Sequence, residues 1–266
     1  MERNQTFDNA EALYTRFRPA YCPELYAAVG TYWMSGIGNR PLDGHSRLIE
    51  IGIGTGQATL PFLETGAEIT AVEYGENLAR RCRERFAAFP NLRVLTGKFE
   101  DCPLEPSSAE LVYSATAFHW IPEREGYEKV FSILKPGGVF ARFANRPYTG
   151  HGELGEALEE VYRSFASCRG GVYKKPTEFS EERAEELAQL AGKYGFTDLR
   201  HFLFRSERTM CAADYVGLLG TYSDTIAMAP DDRSRFLAAI RSVIERHGGS
   251  ITIRDTQDLE LARKPV

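Results

Sequence analysis

Residues 48–56, Leu-Ile-Glu-Ile-Gly-Ile-Gly-Thr-Gly, constrain this chain more than any other stretch. A short apolar run carries an acidic residue, Glu50, and three glycines follow at alternate positions, Gly52, Gly54 and Gly56. Glycine lacks a Cβ, so a turn built from it reaches positive φ and lets a ligand lie against bare backbone. Between a strand and a helix, such a turn predicts a nucleotide seat, with the Glu50 side chain facing the same crevice. The dinucleotide pattern Gly-x-Gly-x-x-Gly sets a pyrophosphate on the helix N-terminus. Here the order is instead Glu-x-Gly-x-Gly-x-Gly, followed by Gln57. The bland alternative is a glycine-rich turn that binds nothing.

Around that turn strand and helix alternate. Strands are predicted at 47–51, 67–73, 92–96, 109–114 and 139–144, and helices at 57–65, 76–89 and 123–134. The last of these helices stops at Lys135-Pro136-Gly137-Gly138, a break-and-turn signal. Such alternation means a parallel sheet covered on both faces. Residues 7–35 read as helical and aromatic-rich, interrupted by Pro19 and Pro23. After residue 146 the rhythm breaks. Amphipathic helices at 152–168 and 180–194 lead to a strand at 198–209, helices at 212–228 and 231–247, and a final strand at 250–263. The last two strands are expected to pair antiparallel at one sheet edge.

A chain of 266 residues with 43% hydrophobic content is one large domain, or a domain with an elaborate insertion. Its net charge of −5 and pI near 5.7 argue against a nucleic-acid partner, whose surface is ordinarily basic. No apolar run of about 18 residues is present, so no membrane span is predicted. The opening Met-Glu-Arg-Asn-Gln lacks the basic and apolar regions of a signal peptide. Cys22, Cys82, Cys102, Cys168 and Cys211 are scattered, with no Cys-x-x-Cys pair. Reduced thiols in a cytoplasmic protein without a metal site are expected. Monomer and dimer are equally compatible with the sequence.

Glu73 ends the second predicted strand, 23 residues after Glu50. An acidic residue there is placed to accept both ribose hydroxyls of an adenosine, and Tyr74 is placed to lie against the adenine. Three further segments matter: 97–104 (Gly-Lys-Phe-Glu-Asp-Cys-Pro-Leu), 112–120 (Val-Tyr-Ser-Ala-Thr-Ala-Phe-His-Trp) and Leu134-Lys135-Pro136-Gly137-Gly138. With the glycine loop they resemble the class I S-adenosylmethionine-dependent methyltransferase superfamily over about residues 40–145.

The resemblance implies an α/β fold: a Rossmann-like doubly wound seven-stranded sheet of order 3-2-1-4-5-7-6, the last strand antiparallel, with helical caps. It implies S-adenosylmethionine as cofactor and S-adenosylhomocysteine as product. Glu50 then suits the ammonium of the cofactor's amino-acid tail. Residues 97–104 match a loop that cups the adenine, with Lys98 where Asp is usual, so the Phe99 backbone and Glu100 are its candidates. Ser114 and Ala115 begin a segment passing under the sulfonium, and His119 and Trp120 follow near the methyl donor. Residues 14–26 resemble the Tyr-x-x-x-Arg-Pro-x-Tyr-Pro segment of the trans-aconitate methyltransferase-like branch, which folds over the cofactor. Tyr14 and Arg18 match it, and Cys22 is an insertion. The implied organisation is a helical lid at 1–35, a cofactor-binding core at 36–146 and a helical cap at 147–197. Residues 198–266 then hold the last two strands, with helices inserted at 212–247.

Methyl transfer needs a small-molecule acceptor held close, aligned and dry, and such positioning supplies roughly 7–11 kcal/mol. A carboxylate acceptor needs no base but does need cationic holders. Arg16, Arg18, Arg142, Arg146 and Arg169 are candidates; Arg18 and Arg146 are favoured, with Trp120 and Tyr148 beside them. A phenol, amine or natural product instead calls for a base, His119, with Tyr148, Tyr173 and Tyr222 lining the pocket. Two readings from other classes are a non-catalytic cofactor-binding module and an NAD-dependent oxidoreductase. A nucleic-acid methyltransferase is disfavoured by charge, and by Ser-Ala-Thr-Ala at 114–117 where Asn/Asp-Pro-Pro-Tyr would stand.

Overall fold

The computed structural model describes residues 17–36, 40–171 and 173–266, so Tyr14 and Arg16 lie outside the described residues. In chain order the elements are α1 (Pro23–Met34), β1 (Arg47–Ile51), α2 (Leu60–Leu63), β2 (Glu68–Glu73), α3 (Glu76–Arg85), β3 (Leu92–Thr96), β4 (Ala109–Ala115), α4 (Glu123–Ile133) and β5 (Leu134–Tyr148). There follow α5 (Gly152–Ser164), α6 (Glu181–Gln189), β6 (Thr197–Cys211), α7 (Ala212–Leu219), α8 (Ser223–Ile226), α9 (Pro230–Arg246) and β7 (Ser250–Arg263).

The strands form one seven-stranded sheet of order β3-β2-β1-β4-β5-β7-β6, as the family resemblance implies. Pairing from β3 through β5 is parallel. Lys264, just past β7, exchanges backbone hydrogen bonds of 2.9 Å with Gly137 and Gly138 near the start of β5, so β7 runs the opposite way. Successive strand residues point to opposite faces. Leu48, Leu111, Tyr113 and Val139 therefore enter one apolar cluster with Phe62 and Phe86. Ile49, Ile51, Val112 and Phe140 enter another with Val130 and Ile133. Each such buried side chain contributes about 1.5–3 kcal/mol, which is why both faces of the parallel sheet carry helices.

Contacts divide the chain into two units. One comprises Pro19–Asn145, Ser180–Phe204 and Gln257–Val266, and it contains the glycine loop and both clusters above. The other, called here the helical unit, comprises the segment ending at Arg18 with Arg146–Phe179 and Arg205–Thr256. Its core includes Leu158, Leu218, Phe236 and Ile240, where α9 packs on α5 and α7. Strands β5, β6 and β7 each carry residues of both units.

Beyond the helix expected at 212–228, which is split into α7 and α8, three departures from the sequence expectation concern the parallel sheet and its helices. The helix after the glycine loop is one turn, Leu60–Leu63, because Gly54 and Gly56 take φ of 58° and 81° and the Gly56 N–H closes a turn on the Ile53 carbonyl at 2.9 Å. The next helix ends at Arg85, with Phe86 leaving helical geometry at φ −105° and ψ 22°. Lys135-Pro136-Gly137-Gly138 stops the helix but does not leave the sheet. The β4–β5 register jumps from Ala109↔Leu134 to Leu111↔Val139, so these residues form a bulge within β5.

Among the described residues no helix is long and apolar enough to cross a membrane, and no His/Cys/Asp/Glu group is arranged to hold a metal ion. All five cysteines are free thiols.

Candidate active site

The glycine loop leaves β1 at the carboxyl ends of the parallel strands, where open α/β sheets bind ligands. Gly52, Gly54 and Gly56 all have positive φ, at 71°, 58° and 81°. Two of them are glycine for packing reasons. A Cβ on Gly52 would lie 2.3 Å from the Ala117 Cβ, and one on Gly56 would lie 2.2 Å from Cε2 of the Phe86 ring. Gly54 plays a different part: its N–H donates to Glu73 Oε2 at 2.7 Å. The other oxygen of Glu73 accepts the Gly75 N–H at 2.9 Å. One carboxylate at the end of β2 thus joins the loop to the turn before α3, and these bonds engage two of its roughly four acceptor positions.

Glu50 does not face a crevice. It is 1% exposed, and its Oε2 accepts hydrogen bonds of 2.8 Å from both Thr59 Oγ1 and Tyr113 Oη. Strand alternation sends it, with Leu48, toward the face covered by α2. Burial pushes its carboxyl up to about 8, against the lowering effect of those two bonds. The sequence reading missed Thr59 and Tyr113. Tyr113 sits directly opposite Glu50 in the β1–β4 register, a pairing that becomes legible once the two strands are known to be neighbours.

The remaining candidates in this unit fall around the same strand ends. Tyr74 follows Glu73, with Lys98 Nζ 5.7 Å from its ring centre. The Phe99 side chain is buried in the sheet core, while the Glu100 and Cys102 carbonyls each accept from Lys129 Nζ at 2.7 Å, which fixes the loop they lie on. Ser114 is fully buried, its hydroxyl donating to the Ile51 carbonyl at 3.0 Å and tying β4 to the base of the glycine loop. Ala115 ends β4, and Thr116 then adopts φ 53°, unusual for a β-branched residue. Two hydrogen bonds hold Thr116 there, Tyr21 Oη at 2.6 Å and the Asn145 N–H at 3.2 Å. Neither Tyr21 nor Thr116 was singled out by the sequence. His119 and Trp120 are exposed on a short 3₁₀ turn with ring centres 4.8 Å apart.

The arginine candidates separate by partner. Arg142 bonds Glu260 at 2.8 Å and Tyr127 Oη at 3.1 Å, a buried structural pair rather than an acceptor holder. In the helical unit, Arg18 donates to the Thr221 hydroxyl and carbonyl, both at 3.0 Å, and lies 4.4 Å from the Tyr222 ring centre. Arg146 lies over Phe179 at 5.0 Å, and Arg169 over Tyr162 at 4.9 Å. Tyr148 donates to the Gly150 carbonyl at 2.8 Å.

Comparison with known proteins places these features. The model of a methyltransferase domain matches residues 48–138, the span from the glycine loop through the start of β5. An uncharacterized methyltransferase of Schizosaccharomyces pombe is 26% identical over 242 residues, covering 91% of this chain and 88% of that protein. A malonyl-[acyl-carrier protein] O-methyltransferase of Pectobacterium atrosepticum is 28% identical over 160 residues, 59% of this chain and 58% of that one. Among solved structures, one from Anaeromyxobacter dehalogenans described as a type II methyltransferase superposes with a TM-score of 0.63 at 20% identity, over 94% of this chain and all of that one, and so shares the fold. These matches set aside the oxidoreductase and non-catalytic readings. Residues 48–138 thus match a methyltransferase domain, on a sheet whose strand order is the one the class I S-adenosylmethionine-dependent methyltransferase resemblance implies.

Proposed function

We propose that this enzyme O-methylates a small carboxylic acid. The observation that carries the reading is the set of guanidinium groups within 5.0 Å of aromatic ring centres in the helical unit: Arg18 by Tyr222, Arg146 by Phe179 and Arg169 by Tyr162. A guanidinium is the side-chain group whose planar fork of N–H donors matches a carboxylate. The match to an O-methyltransferase named for a malonyl group supports the same chemistry. The resemblance of residues 14–26 to the trans-aconitate methyltransferase-like branch agrees with it.

S-adenosylmethionine bound at the glycine loop would supply an electrophilic methyl carbon whose leaving sulfur takes the electron pair, so a carboxylate acceptor would become its methyl ester and the cofactor S-adenosylhomocysteine. No proton moves, so no base is required. The chain's own contribution is placement. Gly54 offers backbone without a side chain, and Glu73 accepts the ribose hydroxyls. Tyr74, Phe99 and Glu100 border the adenine, and Ser114 and Ala115 fix the turn beneath the reacting end. In the helical unit, Arg18, Arg146 and Tyr148 are assigned to the acceptor.

Glu73→Ala should weaken S-adenosylmethionine binding by about 1–3 kcal/mol, the value of the lost hydroxyl bonds. Isothermal titration measures this, and unchanged affinity would remove Glu73 from the cofactor site.

An exposed His119 beside Trp120 favours the other reading, a phenol or amine with the imidazole as base. Release of S-adenosylhomocysteine across carboxylic acids, phenols and amines separates the two. Turnover is expected with acids alone; turnover confined to phenols or amines, lost in His119→Ala, would replace the carboxylate reading.

A further inference from the structure

The helical unit contains a cavity of about 310 Å³, at the small end of ligand pockets. Tyr162 and Arg169 line it from α5 and the turn beyond, Tyr173 and Lys174 from the following segment, and Tyr215 and Tyr222 from α7 and the turn after it. Its charged lining consists of Arg169, Lys174 and Asp224, a surplus of one positive charge. Tyr162 and Tyr215 share a hydrogen bond of 2.9 Å. Burial raises the phenols of Tyr162 and Tyr215 and pushes Tyr222 up to about 12, so all three stay neutral at physiological pH.

Arg169 is the polar focus. Its guanidinium lies 4.9 Å from the Tyr162 ring centre and 5.0 Å from that of Phe236. Nη2 donates to Asp224, while Nε is buried with no hydrogen-bond partner. Arginine has five N–H donors in a fixed fork, and a buried donor left unpaired is costly. An oxygen reaching Nε, beside the Nη2 that Asp224 holds, would satisfy it. An aromatic cage for an ammonium would have the opposite charge, because Arg169 and Lys174 repel a cation. A phosphate would bring more negative charge than the single surplus positive charge balances.

Resting on the carboxylate reading above, we infer that this cavity seats the acceptor, a planar aryl or conjugated monocarboxylate whose carboxylate bonds Arg169 and whose ring lies among Tyr162, Tyr173, Tyr215 and Tyr222. The tyrosine walls supply flat apolar area with polar rims. Such walls favour a conjugated body over a flexible polar one.

The test titrates the whole 266-residue chain, free of cofactor, with benzoate and cinnamate, and with benzyl alcohol and benzylamine as neutral and cationic counterparts. At least one carboxylate should bind saturably, with the alcohol and amine weaker by about tenfold or more, the worth of a charge-assisted hydrogen bond. Arg169→Gln should lose the same factor. Removing its contact with Asp224 risks the fold, so a second variant leaves that pair intact. Gly171 lines the cavity and a Cβ on it would meet nothing within 4 Å, so Gly171→Trp adds bulk at the cavity wall without a backbone clash. Loss of carboxylate binding in Gly171→Trp with an unchanged melting temperature supports the assignment. Equal binding of acid, alcohol and amine, or no binding of either acid, overturns it. So does full binding in a folded Gly171→Trp. Saturable carboxylate binding without S-adenosylhomocysteine release leaves the cavity standing while the O-methylation reading falls. Methylation of carboxylic acids with KM unchanged in both variants overturns the cavity and keeps the reaction.

Discussion

Gly54→Val should abolish S-adenosylmethionine binding, a loss of about 100-fold or more in affinity, or about 2.7 kcal/mol. Gly54 stands at φ 58°, between two glycines whose missing Cβ atoms make room for Ala117 and Phe86. Its own amide faces the Glu73 carboxylate at 2.7 Å. A branched side chain there projects beside the group assigned to the ribose. The left-handed conformation costs a residue with a Cβ about 1–2 kcal/mol, so the valine variant should also melt a few degrees lower. Gly54→Asn controls for this, because asparagine tolerates the left-handed region while still adding bulk. Both variants should keep the native circular dichroism spectrum and lose binding by isothermal titration. Gly56→Val should instead fail as a fold, since its Cβ meets the Phe86 ring at 2.2 Å. Near-normal affinity in folded Gly54→Asn would show that the ligand does not approach this backbone.

That contrast marks how far the sequence could be read. Strands 47–51, 92–96 and 250–263 lie where periodicity and turn residues put them, because both ends of each are set locally. The path through Lys135-Pro136-Gly137-Gly138 was not legible. Local chemistry there signals a turn, and it is Lys264, more than a hundred residues away, that supplies the partners keeping those residues in the sheet. At the site, alternate glycines announced the loop, but not that Gly52 and Gly56 answer to Ala117 and Phe86, contacts made only in the folded chain. Arg142 and Arg169 look alike in the sequence. One is consumed by Glu260 and Tyr127, while the other keeps an unpaired donor beside a cavity. Only packing tells them apart. The same holds for Glu50, which reads as a ligand-facing acid and folds as a buried one.

Glu50→Gln should part from wild type in stability as the pH rises, by roughly 3–5 kcal/mol near pH 8. Burial raises the Glu50 carboxyl from 4.5 to about 8. Between those values the folded chain keeps a proton that the unfolded chain has given up. Stability therefore falls with rising pH by about 1.4 kcal/mol per unit, until Glu50 ionises in the folded state as well. Glutamine retains an acceptor oxygen for Thr59 and Tyr113 but has no proton to lose. Urea unfolding of both proteins from about pH 5 to pH 8 should give a gap that widens in favour of the variant. Curves that stay parallel would mean Glu50 is already ionised at the lower end. The same proton tests the cofactor's pose. A nearby ammonium would favour the carboxylate, but Glu50 is buried on the α2 face, so binding near neutral pH should release no more protons from wild type than from Glu50→Gln. Calorimetry in two buffers of different ionisation heat reads that number directly. Extra release from wild type would place the cofactor's ammonium beside Glu50; without it, the ammonium sits elsewhere, and Glu50 serves only to hold Thr59 and Tyr113 beneath the loop.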